Sequence, residues 1–143
     1  MNPKLALFGR IALARRERRG AAVVEIALSL ILLTLILLGV LEYGWLFVRY
    51  QQVRNGARHG ARVGITVDAT SAQVDAAINQ LMSQAGITSF SATYPDPGLT
   101  VPGVPYTVSV SVTTADVDLT DFSLFPKPAT MVCDVTMRKE GVP

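Results

Sequence analysis

Between Ile26 and Val48 the chain carries a single charged residue, Glu42, in a run that is otherwise apolar or weakly polar. A helix needs about 20 largely apolar residues to cross a hydrocarbon core, so this pattern predicts a membrane-spanning helix. Past the run the helical pattern continues while the hydrophobicity falls away. In EYGWLFVRYQQVRNGARHGARVG, Arg54, Arg58 and Arg62 recur every four residues, as do Gly56, Gly60 and Gly64, beside a small row of Ala57 and Ala61. Residues 21–64 are therefore expected to form the span and an extension of the same helix. Glycine inside a helix costs about 1 kcal/mol relative to alanine, so three at this spacing predict close backbone approach by a packed element. The competing reading is a fraying helix whose arginines are solvated or grip anionic headgroups.

Residues 65–143 read as a separate outer domain. Thr66 to Thr70 breaks the helical period, Ser71 is a candidate N-cap for AQVDAAINQLMSQA, and Gly86 is a natural stop. Val74, Ala77, Ile78, Leu81 and Met82 fall on one helical face. From Ile87 the period becomes two. Phe90, Ala92 and Tyr94 alternate with polar residues, as do Tyr106, Val108, Val110 and Val112, and then Met131, Cys133, Val135 and Met137. Three half-buried strands predict an antiparallel sheet covered by the Ser71 helix, so the fold class is α+β. The linkers YPDPGLTVPGVP and DFSLFPKP are proline-rich and cannot extend a ladder. Phe122, Leu124 and Phe125 in the second either seal the sheet edge or meet a partner.

Charge changes the picture at one end only. The formal net charge is +2, yet residues 1–20 alone hold six basic side chains against Glu17 and the remaining 123 residues are net acidic. A nucleic-acid role has little support. The basic N-terminus is expected to stay cytoplasmic and the domain after the span to be exported. Tyr43, Trp45 and Tyr50 would then mark the outer membrane interface, with Arg49 reaching the headgroups. Glu42 would lie just inside it, as a partly hydrated carboxylate or as half of a structural pair. The lone Cys133 can form no internal disulfide and reads as a core residue.

No catalytic grouping can be assembled around the single histidine, His59, and no phosphate-cradling loop or metal cluster is present in the sequence. Neither an enzyme activity, a cofactor nor a small-molecule substrate is expected. Asp116, Asp118 and Asp121 lack the glycine and terminal glutamate of a calcium loop and read as solvated turn residues.

The head of the apolar run remains. RRERRG ends on Gly20, and Glu25 follows at the fifth position after it, where a carboxylate in lipid costs about 2.5 to 3.5 kcal/mol. The run is too long for a cleaved secretory signal peptide, and a plain signal anchor leaves Glu25 unexplained. Basic leader, Gly20 and Glu25 together resemble the class III leader of type IV pilin-like proteins. Gly20-AAVVE, the EYG triplet at Glu42 to Gly44, and NGARHGARVG at Asn55 to Gly64 are similar to the TadE-like minor pilins or pseudopilins of the tight-adherence (Tad, or Flp) pilus. Two positions depart from the family pattern. Ile26 stands where an aromatic is common, and His59 where an acid is usual.

The resemblance implies that the long helix is pilin-like and anchored in the bacterial inner membrane, ahead of the helix and three-stranded antiparallel sheet that the periodicity predicts. It implies cleavage between Gly20 and Ala21 by a prepilin peptidase, removing residues 1–20, and a Glu25 that neutralises the new N-terminal amine of a neighbouring subunit. It also implies helix packing through Glu42, Gly44, Gly56, Arg58, Gly60, Arg62 and Gly64. The expected partners are other pilin-like subunits, an inner-membrane pilus platform and membrane lipid, in support of pilus biogenesis, adhesion and surface attachment. The alternatives are an uncleaved single-pass envelope protein whose outer domain binds a partner, and a type II secretion pseudopilin.

Overall fold

The computed structural model describes residues 3–119 and 125–141, and the side chains of residues 20–119 and 125–141. Helix α1 runs Pro3–Gly64. The chain divides into two compact units between Leu41 and Glu42. In the first, Val24, Ile26, Leu28, Leu33 and Leu37 are all more than half exposed, a surface suited to lipid and not to water. Among the described residues, the stretch Gly20–Gly64 is the one helix long and apolar enough to cross a membrane, with a mean hydropathy of 2.7 over its most apolar 18 residues.

The second unit starts at Glu42, so it takes in the polar extension of α1 as well as the outer sequence. Helix α2 spans Ser71–Gln84, and strands β1 (Ser91–Thr93), β2 (Pro105–Thr113) and β3 (Thr130–Arg138) form an antiparallel sheet in the order β1-β2-β3. A single turn, α3 (Thr114–Val117), follows β2. The register places Tyr106 opposite Met137 and Val110 opposite Cys133. Since side chains alternate across a strand, Tyr106, Val108, Val110, Val112, Met131 and Cys133 share the buried face, as their two-residue period predicts. β1 is shorter than its alternation implies: only three residues pair before Pro95 and Pro97 end the ladder.

The ends of α2 follow from local chemistry. Its N-cap is Thr70, one residue before the expected Ser71. The Thr70 hydroxyl accepts from the Gln73 N–H while the Gln73 side chain accepts from the Thr70 N–H, a reciprocal capping box. At the other end Gly86 takes φ +70, its N–H bonds the Ser83 carbonyl, and the Ile87 N–H returns to the Met82 carbonyl. This is a Schellman turn, with Ile87 buried beneath it.

The cover of the sheet differs from expectation. α2 does not cover it alone, because Val53, Ala57 and Ala61 of α1 are fully buried in the same cluster as Val74, Ile78 and Met82 of α2 and the inner face of β2. Burying a valine side chain contributes about 1.5–3 kcal/mol and an alanine less, so this part of α1 is a structural member of the folded unit and not merely its tether.

Candidate functional site

Every residue that the sequence nominates lies on α1, and that helix distributes them over opposite faces. Gly56, Gly60 and Gly64 lie on the buried face. A Cβ at Gly56 would sit 3.1 Å from Met82 Sδ, one at Gly60 2.5 Å from Ile78 Cγ1, and one at Gly64 2.3 Å from Tyr106 Cε1. The element that approaches the glycine row is thus the chain's own α2 and β2. Gly44 is different: among the described residues nothing lies within 4 Å of the place its Cβ would take. Arg54, Arg58 and Arg62 are exposed on the far side of the helix. The ion pairs among the described residues join Lys127 to Glu42 and to Asp118, and none reaches these arginines. His59 and Arg62 also rim an open groove between α1 and α2 that Ala77 floors.

Glu42 is buried, and Lys127 stands between two acids. Its Nζ lies 2.6 Å from Glu42 Oε1 and 2.5 Å from Asp118 Oδ2. The first contact is an ion pair by distance without hydrogen-bond alignment, and Glu42 Oε2 is buried with no hydrogen-bond partner among the described residues. The Asp118 carboxylate, and then that of Glu42, hold the Lys127 ammonium above its ordinary pKa, against the opposing effect of burial. A buried pair contributes little net stability but strongly penalises the loss of one partner, so this group fixes where the chain around Lys127 sits on α1. Asp118 is therefore an ion-pair member, not a solvated turn residue; its other oxygen accepts from the Leu119 N–H. Asp121, Phe122 and Leu124 lie outside the described residues. Phe125 lies against Tyr43 with ring centroids 6.2 Å apart, and the Tyr43 hydroxyl donates to the Pro126 carbonyl at 2.9 Å.

Besides Tyr43, two further residues of the expected interface are tied into the folded unit. The Trp45 indole N–H donates to the Val117 carbonyl at 2.9 Å. The Arg49 guanidinium stacks 4.6 Å from the centre of the Trp45 ring and donates to the Ala85 carbonyl, closing the C-terminus of α2. At the end of α1 the buried Lys139 does the same, donating to the Gly64 and Thr66 carbonyls at 3.0 and 2.7 Å. Sequence reasoning passed over Lys139, although the polar stop to the β3 alternation just before it was a usable signal.

Around Gly64 the polar groups are less well matched. Tyr106 is fully buried, and its hydroxyl has no hydrogen-bond partner among the described residues. Burial, and then the charges of Asp96 and Asp75, push that hydroxyl up to about 12. The neighbouring Tyr94 hydroxyl bonds the Asp75 carboxylate, and burial followed by that bond raises its pKa too.

In the first unit Gly20, Ala21 and Glu25 are all exposed, with open space around Gly20. No ion pair joins Glu25 to a described residue. Among the described residues no group of three or more His, Cys, Asp or Glu is placed to hold a metal ion. The arrangement offers packing faces, an exposed acid in the apolar stretch and cations that join no ion pair among the described residues, which is chemistry for association. The family model described as TadE-like protein matches residues 20–62. No curated protein and no solved structure matches the chain.

Proposed function

We propose that this chain, a membrane-anchored TadE-like protein associated with a Tad pilus, is a minor pilin or pseudopilin of that system, cut after Gly20 and assembled through its helix. The observation that carries this reading is where the family match falls. It opens on Gly20, takes in the span with Glu25 and two of the three packed glycines, Gly56 and Gly60, and closes on Arg62, leaving the arginine-rich stretch before Gly20 outside.

Cleavage by a prepilin peptidase would make Ala21 the N-terminus and give the membrane segment a free amine next to an acid four residues on. Each charge is costly in lipid, and each becomes less so beside the other. Glu25 has no ion-pair partner among the described residues, and the amine of a neighbouring subunit supplies one, which sets the register between packed helices. The basic leader keeps the N-terminus cytoplasmic and places the domain from Glu42 onward outside the inner membrane. There the chain meets other pilin-like subunits and the membrane platform that drives assembly, supporting pilus biogenesis, adhesion and surface attachment.

The test is the N-terminal residue of the protein purified from its own membranes, read by intact mass. Ala21, with or without methylation, is expected, and Gly20→Trp should abolish processing. Glu25→Ala should be cut normally yet fail to support piliation. An intact N-terminus in the presence of an active prepilin peptidase would overturn the reading and leave an uncleaved envelope anchor with a partner-binding domain.

A further inference from the structure

Within the folded unit, the free face of α1 is continuous. At 100° per residue, Gly44, Phe47, Val48, Gln51, Asn55, Arg58 and Arg62 fall within about 120° of arc, with Arg54 at its margin. The opposite arc carries the buried Glu42, Leu46, Val53, Ala57 and Gly60. Along the free face the character changes once. Gly44 has no described atom within 4 Å of where its Cβ would lie, and Phe47 and Val48 are 63% and 49% exposed. Further on, Arg54, Arg58 and Arg62 are exposed and joined by no ion pair among the described residues.

We infer that this face receives a parallel helix from a different subunit, small or apolar opposite Gly44 to Val48 and carrying Asp or Glu at four-residue spacing opposite Arg54 to Arg62. Three features select that partner. Open space at Gly44 allows two backbones to approach where the face is apolar. The three guanidiniums repeat at the spacing at which a facing helix repeats its own side chains, and guanidinium pairs carboxylate in a fixed fork. A second copy packed by the same face does not satisfy them, because α1 holds no acid after Glu42 and would set arginine against arginine. Headgroups gathered at the level of Glu42 are also a poor match: Arg54 and Arg62 stand about 18 and 30 Å further along the helix axis, beyond the ~8 Å screening length of physiological salt.

The inference deepens the pilus-subunit reading, which supplies the neighbours. Its test uses the full chain in its own membranes with a photoactivatable benzophenone side chain at position 55. Irradiation should join the chain to another single-span subunit of the assembly. The yield should fall about tenfold with Arg58→Glu plus Arg62→Glu, persist with Arg58→Lys plus Arg62→Lys, and return when lysines replace the facing acids of the joined subunit. A product joined to a second copy, a product with lipid alone, no product, or a yield indifferent to charge reversal would each overturn the inference. The N-terminal residue of the same samples separates the two claims. Ala21 without a charge-dependent product sinks this inference alone, and an uncut N-terminus with that product intact sinks the earlier reading alone.

Discussion

Gly64→Ala and Gly44→Ala introduce the same methyl group into the same helix and should move stability in opposite directions. At Gly64 the new Cβ would lie 2.3, 2.6 and 2.7 Å from Cε1, Cζ and the hydroxyl oxygen of Tyr106, a ring that is 0% exposed. An ordinary carbon contact is about 3.5–4.0 Å, so the ring or the helix must retreat by more than 1 Å inside a packed core. Overpacking of this kind costs about 1–3 kcal/mol. The better helix propensity of alanine returns at most about 1 kcal/mol, and less at the last residue of a helix. The expected balance is a loss of about 1–2 kcal/mol. At Gly44 the methyl meets nothing within 4 Å, and propensity alone should stabilise by about 0.5–1 kcal/mol. Trp45 is the single tryptophan, and its indole is bonded to Val117. Its fluorescence during denaturant unfolding of the full chain in detergent micelles therefore reports this domain. A shift of 1 kcal/mol corresponds to roughly 4–8 °C in Tm at this size. If Gly64→Ala is as stable as the parent, or moves in the same direction as Gly44→Ala, the close approach of α1 to β2 is refuted.

Tyr106→Phe removes a buried hydroxyl that has no partner among the described residues, so the variant should match or exceed the parent by up to about 1 kcal/mol at neutral pH in the same assay. That hydroxyl also predicts an alkaline effect. Its pKa is raised from 10.0 to about 12, so above pH 10 the unfolded chain gives up a proton that the folded chain retains, and stability falls as pH rises through that window. Unfolding midpoints at pH 9 and pH 11.5 should show a smaller loss for Tyr106→Phe than for the parent, and equal losses would count against a buried hydroxyl. Lys139→Met keeps the apolar stem and deletes two charge-assisted bonds to the end of α1, for an expected cost of about 1.5–3 kcal/mol. Amide exchange at the last turn of α1 should quicken first, and unchanged protection there would argue that Lys139 does not close the helix.

What was legible in the sequence is what obeys a period. The span, the four-residue glycine and arginine rows, the face of α2 and the strand alternation of Tyr106 to Val112 and Met131 to Met137 all depend on neighbours a few positions apart. The contacts that were missed join distant positions. Lys127 comes from a proline-rich linker to Glu42 and Asp118 with no local pattern to announce it, and Lys139 returns to Gly64 from a point marked only by the polar stop to the β3 alternation. Trp45 and Arg49 were assigned to lipid because aromatic and basic residues gather at membrane interfaces. Hydropathy alone does not distinguish that setting from a carbonyl of the same chain. The glycine row was read as a contact face, but its spacing could not reveal that the covering element is the chain's own α2 and β2. Gly20 and Glu25 obey no period; their reading rests on the resemblance of the basic stretch, the glycine and the acid to a processing signal.

The ties to Lys127 and Lys139 also dictate an order of events during folding. The buried face of α1 is made early in the chain, yet Val110 and Cys133 pair across it only when β3 arrives, and Lys139 closes the helix end from a point still later. Contacts so far apart in sequence form slowly compared with a helix. Until the last residues have been delivered, a nascent chain presents Val53, Ala57 and its glycine row to whatever is nearby. Maturation of this domain is therefore governed by the arrival of its C-terminal strand, and a chain stalled before β3 exposes an apolar groove along α1 that invites misassociation or proteolysis.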